Sequence, residues 1–384
     1  MRYVLNALIA KKSGAGGFQI ACNFARAALN DAKIDWHLVV SQDLGDFIRA
    51  EFEPGIFESR VHLFPVQPNR KSYFTVRKQL KELIKNLKPD VVYSILAPSY
   101  FSFDCPEVMR CCNAWDIIPS SHIAYSIVSK KYALRMRLKS RVIVHLMRST
   151  KYFITQTEEA KKGICRVAKT ASHNVCVVPN VLNKTFSNAP KSIFPHQGFN
   201  IAMVGAPASH KNITILPKVA KILKEKYKCT DVKFLTTLFE EDPYTKKVLQ
   251  DFNALGVTDM ICNRGRQSQL QLIDLYRTSD MAFFPSLLET FSATLLEYMC
   301  FGLPTVISDM PFNTEVMGDA ALRYSPLSAD DAAEKIYSLY KNSQLQEDLR
   351  KKGNKQLVKY SSFENYYNNT LRFLTEVAQK NCKS

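Results

Sequence analysis

The feature that most constrains the fold of this chain is a regular alternation of short apolar runs with amphipathic stretches. In the first half, RYVLNALI, DWHLVVSQ and DVVYSIL are separated by FQIACNFARAALND and by a helical pattern over residues 73–87. Apolar and β-branched runs of this length predict strands, and apolar residues three and four positions apart predict helices. Strands that alternate with helices predict a parallel sheet covered by helices on both faces.

The same alternation resumes after residue 198, beginning with the apolar run NIAMVGA. The preceding segment, residues 186–198, holds two prolines and several polar residues without periodicity, which is typical of a linker. A chain of 384 residues also exceeds the size at which one hydrophobic core usually stops growing. The sequence therefore predicts two Rossmann-like α/β domains, at residues 1–185 and 199–362, joined by that linker.

The formal charge of +17 comes mainly from the first half of the chain. Residues 1–200 contain 29 of the 52 Lys and Arg but only 14 of the 35 Asp and Glu, and residues 110–191 alone hold 15 basic and 3 acidic side chains. Such a field attracts a polyanion, an anionic membrane surface or a phosphorylated substrate; the alternative is an ordinary solvated basic face. No apolar run reaches the roughly 18 residues of a membrane-spanning helix, and the N-terminus lacks a signal-peptide cleavage site, so we expect neither insertion nor export.

Three loops are candidates for ligand binding, because ligands of open α/β sheets lie at the carboxyl ends of the strands. The loop SGAGGF, with Gly14, Gly16 and Gly17, lets the backbone approach a phosphate at a helix N-terminus. Its spacing does not meet the dinucleotide pattern GxGxxG, which disfavours a dehydrogenase, and a structural tight turn is an equal alternative. In the loop GAPASHKN, Lys211 and the amides around Asn212 are candidates to face a diphosphate.

The third loop lies in SLLETFSATLLEYMCFGLPTV, which places Glu289 and Glu297 eight positions apart in an apolar segment. We expect a helix over residues 291–301, with Gly302 as its C-terminal stop. If all eight steps were helical, the two acids would lie about 12 Å apart, which exceeds the separation of a hydrolytic carboxylate pair. The spacing suits two acids that bind different parts of one elongated ligand. The alternative is an acid favoured by the helix dipole and a solvated helix residue.

Residues 285–322, PSLLETFSATLLEYMCFGLPTVISDMPFNTEVMGDAAL, resemble the signature region of the family-4 glycosyltransferases, which are retaining enzymes of the GT-B fold. HKN at 210–212, VVPN at 177–180, WDIIP at 115–119 and GAGG at 14–17 resemble further motifs of the family, so the resemblance covers nearly the whole chain. It implies two domains that face each other across a cleft, the first for the acceptor and the second for the donor. It also implies that residues 363–384 form a crossover helix that packs back on the first domain.

The resemblance also implies roles for individual residues in binding a nucleotide-diphosphate sugar, with UDP or GDP as the nucleotide. Glu297 would bond the ribose hydroxyls, Glu289 would lie by the transferred sugar, and Lys211 would neutralise the diphosphate. Thr290, Phe291 and Ser292 would present backbone N–H groups to sugar and phosphate, as Gly16 and Gly17 would to phosphate, while Asp116 belongs to a catalytic loop. These contacts stabilise the departing nucleotide, so no metal and no cofactor are expected, and the sequence has no DxD motif.

Three departures from the family pattern bear on the donor site. Ala206 stands where the family usually has an arginine, so Arg264 or Arg266 is expected to substitute for it. Trp115 stands where a histidine commonly precedes the aspartate. Thr290 and Ser292 replace the usual glycines, which predicts a reshaped sugar site or weaker activity.

The stretch from Tyr125 to Arg148 has the cationic amphipathic pattern of a helix that rests on an anionic bilayer. The cations that we expect to contact an acceptor or membrane are Lys130, Lys131, Arg135, Arg137, Lys139 and Arg141. A polyprenyl-diphosphate-linked saccharide would supply both lipid and negative charge, at the inner face of the cytoplasmic membrane. The alternative is an ordinary helix with a solvated basic face.

The resemblance thus predicts a metal-independent hexosyltransferase of bacterial surface polysaccharide assembly, such as O-antigen, capsule or lipopolysaccharide, in the cytoplasm or on its membrane face. Within enzymes, the alternatives are a GT-B nucleotide-sugar epimerase and a soluble oligosaccharide transferase. From another class, the alternative is a non-catalytic polyanion-binding protein on this scaffold. Nucleic acid is not expected as a partner, because the basic region lacks interleaved aromatic residues.

Overall fold

The computed structural model describes residues 1–12, 15–64, 72–360 and 362–382 and contains two compact units. Each unit is built around its own all-parallel sheet, with helices between most of the successive strands, so the two Rossmann-like domains predicted from the alternation are confirmed as a fold class. Unit 1 comprises Met1–Pro119, Arg135–Pro179 and Glu364–Ser384, and unit 2 comprises Ser120–Leu134 and Asn180–Phe363. The grouping of residues 120–134 with unit 2 has no counterpart in the boundaries expected from the sequence.

In the sheet of unit 1, the strand order reverses between the first and fourth strands. We call this topological switch point the chain reversal of the sheet. Its strands are β1 (Arg2–Ala7), β2 (Asp35–Ser41), β3 (Val61–Phe64), β4 (Val91–Ser94), β5 (Glu107–Arg110), β6 (Tyr152–Thr155) and β7 (Val175–Val177), in the spatial order β3-β2-β1-β4-β5-β6-β7. Its helices are α1 (Ala15–Asn30), α2 (Gln42–Glu51), α3 (Pro54–Arg60), α4 (Tyr73–Leu87), α5 (Lys130–Met147) and α6 (Glu158–Ala168), of which α5 begins in residues grouped with unit 2.

The sheet of unit 2 reverses in the same way, between β8 (Phe199–Met203) and β11 (Met281–Phe284). Its other strands are β9 (Val232–Thr236), β10 (Ile261–Asn263), β12 (Thr305–Ser308) and β13 (Ala321–Tyr324), in the spatial order β10-β9-β8-β11-β12-β13. Its helices are α7 (Lys184–Ser187), α8 (Leu216–Glu225), α9 (Pro243–Ala254), α10 (Gln269–Arg277), α11 (Ala293–Cys300), α12 (Pro311–Met317), α13 (Ala329–Lys341) and α14 (Ser343–Leu357).

Both faces of the unit 2 sheet are buried, as its nearly continuous apolar strands require. Met281 and Phe283 of β11 point into one hydrophobic cluster, and Ala282 and Phe284 point into another. This division follows from the alternation of side chains along a strand. The sheet is therefore closed to ligands on its faces, and its carboxyl edge is left for a site.

A last helix, α15 (Phe363–Cys382), completes unit 1 although it follows the whole of unit 2 in sequence. The indole Nε1 of Trp36 donates to the hydroxyl of Tyr367 at 2.9 Å, and that hydroxyl donates to Asp31 at 2.8 Å. Phe24 packs against Tyr367 with ring centroids 5.2 Å apart. The core of unit 1 thus contains side chains from its first segment and from α15, which are far apart in sequence.

One local prediction was wrong in its bounds. The helix expected over residues 291–301 is shorter, because the chain is extended at its N-cap Ser292, and Phe291 instead buries its ring against Tyr360. The 12 Å estimate for Glu289 and Glu297 therefore does not apply, since the first steps between them are not helical. In unit 1, β5 ends at Arg110, and residues 114–116 form a 3-10 turn.

Candidate functional site

The candidate site is built on the two loops that flank the chain reversal of unit 2. One loop follows β8 and the other follows β11, and these neighbouring strands end at the same edge of the sheet. The backbone N–H of Leu287 donates to the carbonyl of His210 at 2.9 Å, which ties the two loops together. A chain reversal in a parallel sheet leaves a crevice outside the strand ends, so this is where a ligand is expected to bind.

The loop after β8 delivers Lys211 toward the loop after β11. Residues 209–211 form a 3-10 turn, and Asn212 follows in the left-handed region with φ +52°. A Cβ at Gly205 would come within 3.3 Å of Cδ of Lys211, so the glycine leaves room for the lysine stem to lie against the backbone. The close approach explains why a glycine follows this strand.

Lys211 and Glu289 form an ion pair between the two loops. Lys211 Nζ lies 2.8 Å from Glu289 Oε1, and the hydroxyl of Ser286 donates to the same oxygen at 3.1 Å. The two charged side chains are 20% and 16% exposed, respectively, so each is largely desolvated yet open to a ligand. The arginine that usually accompanies this lysine in the family is Ala206 here. The partner of Lys211 in this structure is instead an acid, Glu289.

Two buried hydrogen bonds to Ser286 hold the loop after β11 in place. The carbonyl of Ser286 accepts hydrogen bonds from Ser308 Oγ at 2.5 Å and Asn313 Nδ2 at 3.0 Å. Ser308 ends β12 and Asn313 lies in α12, and both side chains are fully buried. These bonds fix the point from which the chain turns toward Glu289.

The segment Thr290, Phe291 and Ser292 leads into α11 and is buried. Ser292 is the N-cap, and its side chain makes no capping hydrogen bond. The first N–H groups of a helix have no partner within the helix, and the helix dipole makes this end attractive to anions. The backbone at the start of α11 can therefore donate to a bound phosphate or sugar.

Glu297 lies one turn into α11 and accepts a hydrogen bond on Oε2 from the hydroxyl of Tyr276, a residue of α10. Tyr276 is fully buried among aromatic rings, with the centroid of Phe301 5.1 Å away and that of Tyr298 5.8 Å away. Desolvation raises the pKa of Glu297 to about 7, and the hydrogen bond from Tyr276 partly opposes this rise. Among the described residues no hydrogen bond reaches Oε1, so that oxygen can accept one from a ligand.

His210 lies beside the ion pair, and burial lowers the pKa of its imidazole. The charge of Glu289 opposes that shift and the charge of Lys211 adds to it. The neutral ring is therefore favoured near pH 7, and the site gains no second cation from it.

The loops after β9 and β10 continue the same edge of the sheet. Thr237 Oγ1 accepts from the N–H of Gly205 at 3.1 Å, and the Asn263 side chain bonds the backbone of Leu238 in both directions. Arg264 follows as an exposed residue. Arg266 stacks over Phe239, with Cζ 3.7 Å from the ring centroid, and pairs with Glu241 at 3.7 Å. Arg266 therefore already has partners in this structure.

In unit 1, Gly16 and Gly17 lie in the first turn of α1, which follows β1. Gly14 lies outside the described residues. A Cβ at Gly17 would come within 3.3 Å of the Leu96 side chain, which follows β4, whereas none of the described atoms lies within 4 Å of a Cβ at Gly16. Gly17 thus serves a close approach across the chain reversal of unit 1, and the N–H groups of both residues belong to a helix N-terminus.

Asp116 is 4% exposed and both of its carboxylate oxygens are bound within unit 1. Asn113 Nδ2 donates to Oδ2 at 2.7 Å and Ser140 Oγ donates to Oδ1 at 3.1 Å. Burial raises the pKa of Asp116, and both hydrogen bonds oppose this rise. These contacts also give Asp116 a structural role, because Ser140 belongs to α5 and bonds the carbonyl of Trp115 as well.

The structure brings together only part of the predicted site. In unit 2 it joins Lys211, Glu289 and the start of α11, and it adds Ser286 and Tyr276, which the sequence analysis missed. Tyr276 lies 21 residues before Glu297, and nothing in the sequence pattern marks it as a partner. Ser286 lies two residues after the end of the apolar strand β11, and that position was a signal that could have identified it.

No group of three or more His, Cys, Asp or Glu side chains in the described residues could hold a metal ion.

The six cations predicted on the basic stretch all lie on α5 and are exposed; they are Lys130, Lys131, Arg135, Arg137, Lys139 and Arg141. A search of the described helices found none that combines the length and the apolar character needed to cross a membrane.

Residues 185–356 match the model of the family Glycosyl transferases group 1. The O-antigen chain mannosyltransferase RfbU of Salmonella typhimurium is 25% identical over 240 residues, which make up 62% of this chain and 62% of that protein. The chain therefore matches less than two thirds of the length of this curated relative.

Solved structures show the same fold over nearly the whole chain. A glycosyltransferase from Rickettsia africae superposes with a TM-score of 0.72 at 16% identity, covering 98% of each chain. Anabaena Alr3699/HepE in complex with UDP superposes with a TM-score of 0.71 at 13% identity, covering 98% of this chain and 100% of that one. The two-sheet architecture is the GT-B fold, and the match to the family model covers residues 185–356 of it.

Proposed function

Because residues 185–356 match the model of the family Glycosyl transferases group 1, we propose that this protein is a retaining glycosyltransferase. It moves a hexose from a nucleotide-diphosphate sugar to a lipid-linked saccharide and acts in surface polysaccharide assembly. The observation that carries the proposal is the partly open Lys211–Glu289 pair at the chain reversal of unit 2. Two similar proteins support it: one is an O-antigen chain mannosyltransferase, and the other was crystallised with UDP and with UDP-glucose.

Lys211 and the start of α11 stabilise the departing nucleoside diphosphate in this proposal. Negative charge grows on the diphosphate as the bond to the sugar breaks, and a fixed ammonium group with nearby backbone N–H groups lowers the energy of that state. These groups neutralise the diphosphate without a divalent ion, so we propose a metal-independent reaction. Arg264, exposed at the same edge of the sheet, supplies a further cation, and Asn212 keeps the turn that presents Lys211.

Glu289 has two roles in succession. Before the donor binds, its carboxylate holds Lys211 in place at 2.8 Å. When the diphosphate takes Lys211 as its partner, Glu289 is released to accept hydrogen bonds from hydroxyls of the transferred sugar. Thr290 and Ser292 border the sugar with side chains where glycines are usual, so they are candidates to determine which hexose is accepted.

Glu297 binds the ribose. Tyr276 occupies Oε2, which leaves Oε1 for a ribose hydroxyl. An ionised carboxylate accepts a stronger hydrogen bond than a neutral one, so donor affinity depends on the ionisation of Glu297.

Unit 1 supplies the remaining proposed residues. The N–H groups of Gly16 and Gly17 at the start of α1 donate to donor phosphate, and Asp116 acts in catalysis at the acceptor side. We place the enzyme in the cytoplasm, at the inner face of the cytoplasmic membrane, where a lipid-linked acceptor would be reached.

The donor proposal is tested by thermal denaturation with a panel of UDP-, GDP- and ADP-sugars. We expect at least one to raise the melting temperature, and we expect Glu297→Ala to abolish that rise. Absence of a shift with every donor would contradict the transferase. The anomeric configuration of the product, read by NMR, tests retention. Conversion of the donor sugar without an acceptor would instead indicate an epimerase.

A further inference from the structure

The outer surface of α5 is apolar along its centre and basic along both sides. Leu134, Leu138 and Val142 are 58%, 51% and 61% exposed, respectively, and they follow one another at intervals of four residues. Large aliphatic side chains exposed to this extent in a continuous line are unusual on a monomeric protein. We call this line the α5 ridge.

The inner surface of α5 is fixed, so the ridge cannot turn away from solvent. Ala133, Met136, Ile143 and Met147 are all at least nine-tenths buried. Ser140, on the same side, bonds Trp115 and Asp116. At about 100° per residue, Leu138 lies opposite the centre of this buried side.

The cations lie beside the ridge on both sides. By the same helical geometry, Arg135 and Lys139 lie along one side, and Lys130, Arg137 and Arg141 lie along the other; Lys131 lies at the N-terminal end of the ridge itself. The 18 residues of α5 include six Lys and Arg and no Asp or Glu. Long basic side chains beside an apolar line can direct their charges to lipid headgroups while the apolar groups enter the acyl boundary.

We propose that the α5 ridge is a docking surface for an anionic lipid bilayer, into which Leu134, Leu138 and Val142 insert while the flanking cations bind headgroups. Charge complementarity selects this occupant, since an apolar protein partner would not require cations on both sides. The inference deepens the proposed function, because it identifies the surface by which the enzyme reaches a lipid-linked acceptor. The docking itself does not depend on the identity of the donor.

The test is cosedimentation of the full chain with vesicles of equal parts phosphatidylglycerol and phosphatidylcholine, and with vesicles of phosphatidylcholine alone. We expect binding to the anionic vesicles, and we expect it to weaken as salt rises. The triple substitution Leu134→Ser, Leu138→Ser and Val142→Ser should lower the partition coefficient roughly tenfold or more, because the inserted apolar area is lost. Arg135→Gln with Arg141→Gln should lower it roughly fivefold per charge.

Matched controls lie on unit 2. Val358→Ser removes a valine that is 72% exposed, and Lys352→Gln with Lys355→Gln removes two exposed charges from α14; neither should change vesicle binding. Equal binding of the ridge variant and the unsubstituted chain would overturn the proposal, as would equal binding to neutral and anionic vesicles. The melting-temperature shift with donor should persist in the ridge variant, so failure of the docking proposal is distinguishable from failure of the proposed function.

Discussion

Lys211 and Glu289 are 78 residues apart in sequence, and their side chains meet at 2.8 Å over the chain reversal of the unit 2 sheet. A lone cation in this partly buried place would be costly, and the carboxylate offsets that cost. A diphosphate that binds here exchanges one anionic partner of Lys211 for another. The structure therefore contains a preformed site for an anionic ligand, in which Glu289 balances the charge of Lys211 before the ligand arrives.

Substitution of Lys211 by methionine should lower the transfer rate about 10²- to 10³-fold, because the stabilisation of the leaving diphosphate is lost. The matched control is Lys224→Met, since Lys224 of α8 also forms a 2.8 Å pair with an acid, Asp259. Initial rates with the donor identified in the thermal screen measure the effect. Equal losses for both variants would show that Lys211 has no special part in the reaction.

Substitution of Gly205 by alanine should impair donor binding through Lys211. The new Cβ would lie 3.3 Å from Cδ of Lys211, so the lysine stem must give by a few tenths of an ångström, which we expect to disturb the alignment of Nζ with Glu289. We expect the KM for the donor to rise about tenfold, which corresponds to roughly 1.4 kcal/mol. Gly55→Ala, in α3, is the control, because none of the described atoms lies within 4 Å of its Cβ. An unchanged KM in the Gly205 variant would argue against the packing role of this glycine.

Tyr276→Phe should make donor binding depend more strongly on pH. The hydrogen bond from Tyr276 lowers the pKa of Glu297, so its loss should raise that pKa above its present value of about 7. Less carboxylate is then ionised at pH 7, and the KM for the donor should rise several-fold and recover as the pH is raised toward 8.5.

Two comparisons make the Tyr276 prediction specific. Tyr340→Phe removes a 2.9 Å hydroxyl bond to Asp231 on another part of unit 2 and should leave the pH profile unchanged. Glu297→Gln should give weak binding without this pH dependence. If the pH profile of Tyr276→Phe matched that of the unsubstituted chain, it would contradict the proposal that Tyr276 lowers the pKa of Glu297.

Glu107 should make unit 1 less stable as the pH rises. Its carboxyl is 5% exposed, and burial raises its pKa from 4.5 to about 7 although Ser94 donates to it at 2.5 Å. Between these two pKa values the folded state holds a proton that the unfolded state has lost, so the free energy of unfolding falls with rising pH. The full penalty, up to about 3 kcal/mol, is reached above pH 7.

Glu107→Gln should remove most of that fall between pH 5 and 8. Both tryptophans of the chain, Trp36 and Trp115, lie in unit 1, so fluorescence during urea unfolding reports this unit alone. Glu58→Gln, an exposed change in α3, is the control. A pH dependence that is identical in the Glu107 variant would refute the assignment.

The fold class was predictable because it depends on patterns that are local in sequence. Fully apolar runs such as the one at β11 and amphipathic stretches such as the one at α4 each indicate their own structure, and their alternation indicates a parallel sheet. Helix bounds were less predictable where tertiary packing decides them. At Phe291, burial of the ring against Tyr360 keeps the chain extended, and nothing within the local sequence reveals that contact.

Candidate-site residues within recognisable motifs, such as Lys211, Glu289 and Glu297, could be proposed from the sequence. Tyr276, the partner of Glu297, could not, because it reaches the site through a tertiary contact and belongs to no motif. The direction of α5 also required the structure. The sequence shows an amphipathic basic helix, but only the burial of Met136 and Met147 shows that a second apolar line faces outward.

The hydrogen bonds that the Tyr367 hydroxyl accepts from Trp36 and donates to Asp31 also affect the order in which the two units fold during synthesis. The ribosome releases the strands of unit 1 first, but their core remains incomplete until α15 emerges, after all of unit 2. Unit 2 ends at Phe363 and needs no later segment, so it can fold before the core of unit 1 is complete. A chain released after residue 363 would therefore contain all of unit 2 but would lack the segment that completes the core of unit 1.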